Sequence, residues 1–103
     1  MRKYNIAITP EALIDIQDII NWYNNKQSGL GTRFYKIVIR AINSLNKSPQ
    51  IYAVRYKQIR CLKTIKFPYM IHFYINDKNN TVEILAVIST DRNPAIWSKK
   101  TNK

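Results

Sequence analysis

Cysteine, glycine and acidic side chains are all scarce in this sequence. Cys61 is its only cysteine, so the chain can form neither an intrachain disulfide nor a cluster of thiolate metal ligands. No apolar run approaches the roughly 18 residues that a membrane-spanning helix needs, and the residues after Met1 do not form a secretion signal. We therefore expect a protein of the reducing cytoplasm, with no membrane partner, no metal and no cofactor.

Positive charge is what the sequence has in excess. Seventeen Lys and Arg residues stand against six Asp and Glu residues, which gives a net charge of +11 in 103 residues. A charge of this size indicates an acidic or polyanionic partner, although a lysine-rich surface produced by biased codon usage has the same composition. The length suits one compact domain, which we place at residues 1–97, followed by a basic, flexible tail at residues 98–103.

The first half of the chain predicts a strand followed by two helices. Residues 3–8 alternate polar and apolar side chains, as a half-buried strand does. Thr9 can cap a helix and Pro10 suits the first helical position, so a helix is expected to begin at Pro10. A second helix is expected over residues 32–46. The short, glycine-containing link between the helices predicts an antiparallel helical hairpin.

The second half predicts three strands. Residues 59–66, 69–75 and 82–88 alternate in polarity and are separated by turn sequences, whereas residues 51–56 could form a loop or begin a strand. The order strand-helix-helix-strand-strand-strand indicates an α+β domain, with an antiparallel sheet and the helical hairpin packed on one of its faces.

A family resemblance is carried mainly by the last 40 or so residues. Phe67-Pro68-Tyr69, then Val-Glu-Ile-Leu-Ala-Val at residues 82–87, then Arg92, Pro94 and Trp97 occur in a characteristic order and spacing. In these features the chain resembles toxins of the bacterial RelE/ParE superfamily, and within it the ParE-like plasmid-stabilisation group. The resemblance implies a small basic toxin that is neutralised by a cognate antitoxin protein wrapped around it.

The resemblance implies two different activities. RelE-like members cleave mRNA in the ribosome, and ParE-like members poison DNA gyrase without known nuclease chemistry. Met70 stands where the RelE-like pattern has an arginine, and Trp97 stands where it has a tyrosine. Methionine cannot hold a phosphate, and indole does not exchange a proton at neutral pH. We therefore expect a non-enzymatic gyrase inhibitor; the alternatives are a ribosome-dependent, metal-independent mRNA endonuclease and a basic nucleic-acid-binding module.

Several side chains are candidates for contact with the target. If the protein is a nuclease, His72, Arg60 and Arg92 are the expected catalytic residues, because His72 is the only side chain that ordinarily titrates near neutrality. Simple strand alternation places His72 on one sheet face with Arg60 and Lys66. The same pattern also fits a half-exposed histidine with no catalytic role. For binding a target or nucleic acid, we expect Arg60, Lys66, Arg92 and Trp97 to contribute.

The antitoxin is expected to contact the helical hairpin. Trp22 falls among the acidic residues of the first helix and outside its core stripe, so it is either the edge of a broad apolar face or a contact for another chain. Together with Tyr23 and Phe34, it forms the predicted antitoxin-binding set. An acidic antitoxin tail would associate quickly with so basic a protein.

Overall fold

The structure is a computed structural model that describes residues 3–101; residues 1–2 and 102–103, which belong to the predicted domain and tail, lie outside the described residues. The elements, in chain order, are β1 (Asn5–Ile8), α1 (Pro10–Lys26), α2 (Leu30–Ser44), a 3-10 turn (Pro49–Ile51), β2 (Val54–Tyr56), β3 (Ile59–Lys63), β4 (Tyr69–Asn76), β5 (Thr81–Ser89), a second 3-10 turn (Pro94–Ile96) and α3 (Trp97–Thr101).

The strands form one five-stranded sheet in the order β1-β5-β4-β3-β2, and the helical hairpin packs on one face. The predicted α+β class and element order are confirmed. The predicted antiparallel sheet is corrected in one respect: the sheet is mixed, because β1 runs parallel to β5 while the other pairs are antiparallel. Tight turns force successive strands to be antiparallel, but β1 reaches β5 only through the rest of the chain and is free of that constraint. The ambiguous segment 51–56 contributes the edge strand β2.

Helix α1 begins where the sequence predicts. Pro10 is its first residue, and the Thr9 hydroxyl oxygen accepts a hydrogen bond from the Ala12 N–H at 3.1 Å. This cap satisfies one of the N–H groups that the first turn of a helix leaves unpaired. The same Thr9 also donates its hydroxyl to the Leu85 carbonyl at 3.4 Å, so the cap ties α1 to the sheet.

Helix α2 begins at Leu30, two residues earlier than predicted, and it starts in close contact with α1. Gly29 precedes it with φ of 85°, a left-handed conformation that glycine adopts without steric cost. The Gly31 N–H donates to the Asn24 Oδ1 at 2.7 Å. A Cβ at Gly31 would lie 2.2 Å from the Ile20 carbonyl oxygen, so the two helix backbones touch at this point.

The hydrophobic core between the hairpin and the sheet is built from apolar stripes of both helices and from alternate strand residues. Its helical members lie three or four residues apart, as one helix face requires. Its fully buried members include Ala12, Ile16, Phe34, Val38, Ile42, Ile71, Phe73, Val82 and Ile84.

The opposite face of the sheet carries a second, smaller core under the C-terminal segment. Ala86, Ile88 and Trp97 are its buried members. The sequence predicted a flexible tail from residue 98, but the described part of that tail forms most of α3, and Thr101 is buried with its hydroxyl donated to the Trp97 carbonyl at 2.9 Å. Lys100 forms a salt bridge with Asp15 of α1 at 2.5 Å. Both sheet faces are therefore covered.

Candidate functional site

An aromatic cluster of Tyr56, His72 and Trp97 lies between the sheet and the C-terminal segment. The Tyr56 hydroxyl lies 2.8 Å from His72 Nδ1, and the His72 and Trp97 ring centroids are 4.9 Å apart. Strand pairing explains the placement, because Cys61 lies opposite His72 and both face the C-terminal segment. The Arg55 guanidinium stands 5.7 Å from the Trp97 ring centroid. The cluster therefore has a buried polar centre and a cationic rim.

Burial leaves this cluster without a group that titrates near neutral pH. His72 has no exposed surface, and burial together with the nearby Arg55 charge lowers its pKa from 6.5 to about 4. Burial raises the pKa of the Cys61 thiol to about 11 and also raises the pKa of the Tyr56 hydroxyl. A general base must reach its substrate and be poised near the working pH. His72 meets neither condition in this conformation.

The buried histidine makes stability depend on pH. The unfolded chain binds a proton at His72 before the folded domain does, so stability is complete above about pH 6.5 and falls as the pH drops towards 4. We expect this group to remove about 2 kcal/mol of unfolding free energy between pH 7 and pH 5. Urea unfolding at both values measures the loss. In His72→Gln the loss should largely disappear, and an equal loss in that variant would contradict the assignment.

The predicted pairing of Arg60 with His72 on one sheet face is wrong. Arg60 lies opposite Phe73 and shares the face covered by the helices, whereas His72 faces the other way. The Arg60 Nη1 donates to the carbonyl oxygens of Gln50 at 3.2 Å and Tyr52 at 2.6 Å. Arg60 is therefore tied to the segment that leads into β2. It cannot assist chemistry at His72, so the predicted catalytic set does not assemble.

The remaining residues predicted to bind the target differ in exposure. Lys66 is exposed in the turn between β3 and β4, with φ of 66°. Arg92 is exposed and borders a depression of about 240 Å³, together with Asp18 of α1 and Lys100 of α3. Trp97, in contrast, is only 8% exposed. Lys66 and Arg92 can contact a partner, whereas Trp97 packs inside the domain.

The three side chains predicted to contact an antitoxin are also unequal. Trp22 is 54% exposed, and the Lys26 ammonium lies 4.9 Å from its ring centroid. Tyr23 is half-buried and packs edge-on against Phe67, with ring centroids 5.0 Å apart. Phe34 has no exposed surface, which corrects its assignment as a contact residue, because an aromatic side chain in the middle of the α2 stripe belongs to the core. Of these three side chains, only Trp22 presents a large apolar surface.

Sequence reasoning missed Arg55, Tyr56 and Asp15. The first two lie in the segment that could not be assigned, where the pairing of β2 with β3 is irregular. Asp15 lies in the acidic stripe of α1, yet its Oδ2 accepts a hydrogen bond from the Val87 N–H at 3.0 Å. The sequence does contain one signal for the cationic residue Arg55: it lies in residues 19–76, an extended segment with ten Lys and Arg side chains and no Asp or Glu.

The part of the chain that the structure describes, residues 3–101, has neither a cluster of metal ligands nor a membrane-spanning helix. Within that range, no three His, Cys, Asp or Glu side chains lie close enough together to hold a metal ion. None of the helices in the same range is both long and apolar enough to cross a membrane.

Comparisons with known proteins agree with the fold. The chain matches the family model described as the ParE toxin of the type II toxin-antitoxin system parDE over residues 6–94. A sequence search of curated proteins gave no match. Among solved structures, it is similar to the chromosomal ParDE system of Pseudomonas aeruginosa, with a TM-score of 0.75 and 15% identity over 84% of this chain and 96% of that one.

Two RelE-type structures are similar as well. One is the RelBE2 toxin-antitoxin complex of Mycobacterium tuberculosis, with a TM-score of 0.61 and 21% identity over 86% of this chain and 93% of that one. The other is a mutant of the Escherichia coli toxin RelE in the free state, with a TM-score of 0.69 and 13% identity over 97% of this chain and 96% of that one. The family model covers most of the sequence, and these folds agree with it. This chain therefore belongs to the ParE toxin family of type II toxin-antitoxin systems, within the RelE/ParE superfamily.

Proposed function

We propose that this protein inhibits DNA gyrase by binding it in the cytoplasm, without enzymatic chemistry, and that a cognate antitoxin holds it inactive. The observation that carries the proposal is the buried, neutral state of His72 in a chain that matches the ParE family model. A toxin that acts by binding needs an accessible surface and needs no proton donor or acceptor. Lys66 and Arg92 are exposed and suit such a surface.

The physical case against RNA cleavage is specific. Metal-free cleavage needs a base for the 2′-hydroxyl, an acid for the leaving oxygen and cations for the developing phosphate charge. Lys66 and Arg92 could supply cations, but His72 is enclosed by Tyr56 and Trp97. Tyr56 is a poor acid as well, because burial raises its pKa. Binding is therefore the better-supported mode of action.

Supercoiling by purified gyrase tests the target. We expect the protein to suppress supercoiling of relaxed plasmid in proportion to its concentration. Because the Arg92 side chain is exposed, Arg92→Glu should weaken inhibition while leaving the fold intact. Lys78→Glu, which makes the same charge change in the exposed β4–β5 turn, is the matched control. Full supercoiling at large toxin excess would overturn gyrase as the target.

The alternative activity is mRNA cleavage in the ribosome. Incubation with translating ribosomes, followed by primer extension on the mRNA, tests it directly. We expect intact mRNA; codon-specific cleavage that is retained in His72→Gln would show that the protein is a nuclease with different catalytic residues. Co-expression with a short, acidic neighbouring gene tests the antitoxin, since growth should stop with this protein alone and resume with both.

A further inference from the structure

The charge of this protein is segregated along the chain. All six acidic residues lie within residues 11–18 or 77–91, and the ten basic residues between them have no carboxylate in their own segment. Helix α2 and strand β3 both belong to this acid-free segment, whereas α1 carries three of the six acids. The α2–β3 side of the molecule therefore presents positive charge, and an acidic partner is drawn towards it.

An apolar groove lies on that side. It has a volume of about 230 Å³ and runs between the second half of α2 and the end of β3. Ile37 and Ala41, one helical turn apart, form one wall, and Leu62 and Ile65 form the other. Ile65 is 68% exposed. Exposed aliphatic surface of this kind, in a concave site, is typical of a binding surface.

The polar atoms of the groove are arranged so that its floor stays apolar and its rim is cationic. The Ser44 hydroxyl donates to the Ala41 carbonyl at 2.6 Å, and the Thr64 hydroxyl lies within hydrogen-bond distance of the Phe67 carbonyl at 2.9 Å. Both hydroxyls are thereby satisfied inside the domain. The other polar side chains that line the groove are the cations Arg40 and Lys63.

We infer that this groove binds an amphipathic acidic segment of the antitoxin, with aliphatic side chains between α2 and β3 and carboxylates beside Arg40 and Lys63. The inference rests on the proposed function for the identity of the partner. Nucleic acid fits less well, because single strands are held by aromatic stacking as well as phosphate contacts, and the lining residues are aliphatic, small or charged. The surface around Trp22 also fits less well because its charge is mixed: Lys26 lies over the Trp22 ring, but Asp18, one helical turn away on α1, would repel an acidic segment.

Two short fluorescent peptides of identical Leu, Ala, Glu and Lys composition and net negative charge test the groove. One places its leucines on a single helical face, and the other has the same residues scrambled. We expect the amphipathic peptide to bind the full-length protein with at least about tenfold higher affinity than the scrambled one, measured by fluorescence anisotropy. Amide shifts in a labelled sample should fall on α2 and β3.

Four variants locate the binding. Ile65→Glu and Arg40→Glu should each weaken amphipathic-peptide binding by about tenfold. Their matched controls are Ile51→Glu, at an isoleucine that is 74% exposed outside the groove, and Lys78→Glu, at an exposed lysine in the β4–β5 turn. The controls should retain wild-type affinity to within about twofold. Equal losses of peptide affinity in all four variants would show that only the overall charge of the protein matters, and would overturn the inference. Amide shifts centred on Trp22 would overturn it as well.

The outcome is separable from that of the proposed function. If the protein arrests growth but Ile65→Glu does not change peptide binding, the toxin assignment stands and the groove is not the binding site. Groove-specific peptide binding without growth arrest would retain the groove and remove the toxin assignment. A single-stranded RNA oligonucleotide provides the third arm: RNA binding that is stronger than peptide binding and is weakened by Ile65→Glu would overturn the antitoxin segment as the occupant.

Discussion

Gly31→Ala is expected to destabilise the domain by about 3 kcal/mol, which is a large share of the stability of a protein of this size. The added Cβ would lie 2.2 Å from the Ile20 carbonyl oxygen and 2.8 Å from the Asn24 side chain. The carbonyl belongs to the backbone of α1 and cannot retreat alone, so the helices must separate and loosen the core beneath them. The hydrogen bond from the Gly31 N–H to Asn24 would be displaced as well.

Gly29→Ala is the matched control for this prediction. A Cβ at Gly29 meets nothing within 4 Å, and its only penalty is the left-handed conformation, with φ of 85°. That conformation costs a non-glycine residue about 1 kcal/mol. Urea unfolding followed by circular dichroism should therefore rank wild type above Gly29→Ala, and Gly29→Ala above Gly31→Ala. If Gly31→Ala proved the milder variant, the close helix contact would be refuted.

Asp15→Ala is expected to cost about 2–4 kcal/mol. The carboxylate joins three elements: it lies on α1, it accepts the Val87 N–H of β5 at 3.0 Å, and it forms the salt bridge with Lys100 of α3. Its side chain is only 10% exposed. Removing it leaves a buried N–H without its acceptor and removes the salt bridge that ties α3 to α1.

Two further variants separate the contributions of Asp15. Asp15→Asn keeps an acceptor for the Val87 N–H and loses the charge, so it should cost less than Asp15→Ala. Lys100→Ala removes a side chain that is 36% exposed and should cost about 1 kcal/mol or less. A double-mutant cycle between positions 15 and 100, read by thermal unfolding, measures their coupling. Equal losses for Asp15→Asn and Asp15→Ala would show that charge, and not the N–H acceptor, dominates.

Local signals predicted the first helix and the order of elements well. Thr9 and Pro10 fix the start of α1 through cap chemistry that involves neighbouring residues only. The facing of β3 was predicted incorrectly for a reason that is not local. Ile59 and Cys61 are buried on the sheet face opposite the helical hairpin, while Arg60 and Leu62 lie on the face that the helices cover. When both faces of a sheet are covered, apolar alternation no longer identifies the helix-packed face.

The candidate site was harder to predict than the fold because strand pairing is irregular near its members. Arg55 sits where the β2–β3 register shifts, and Leu85 is the extra residue where the β4–β5 register shifts between His72 and Phe73. An added residue reverses which side chains face which way after it. Neither shift lies in β4, so His72 faces away from Ile71 and Phe73 as alternation predicts, and the error lay in the facing of β3. His72 is buried because the C-terminal segment covers its side of the sheet. Lys66 and Arg92, which were predicted to contribute to target binding, lie outside the strands and are exposed.

The parallel pairing of β1 with β5 has a consequence for when this protein can fold. Asn5 pairs with Thr81 and Ile8 with Ile84, so the sheet closes between residues that are far apart in the chain. Contacts of such sequence separation form slowly, because loop closure must precede them. During synthesis, β1 and the helical hairpin leave the ribosome long before their partner strand does. The sheet can therefore close only after β5 has been synthesised, and until then β1 and the helical hairpin lack the strand that joins them to the rest of the domain.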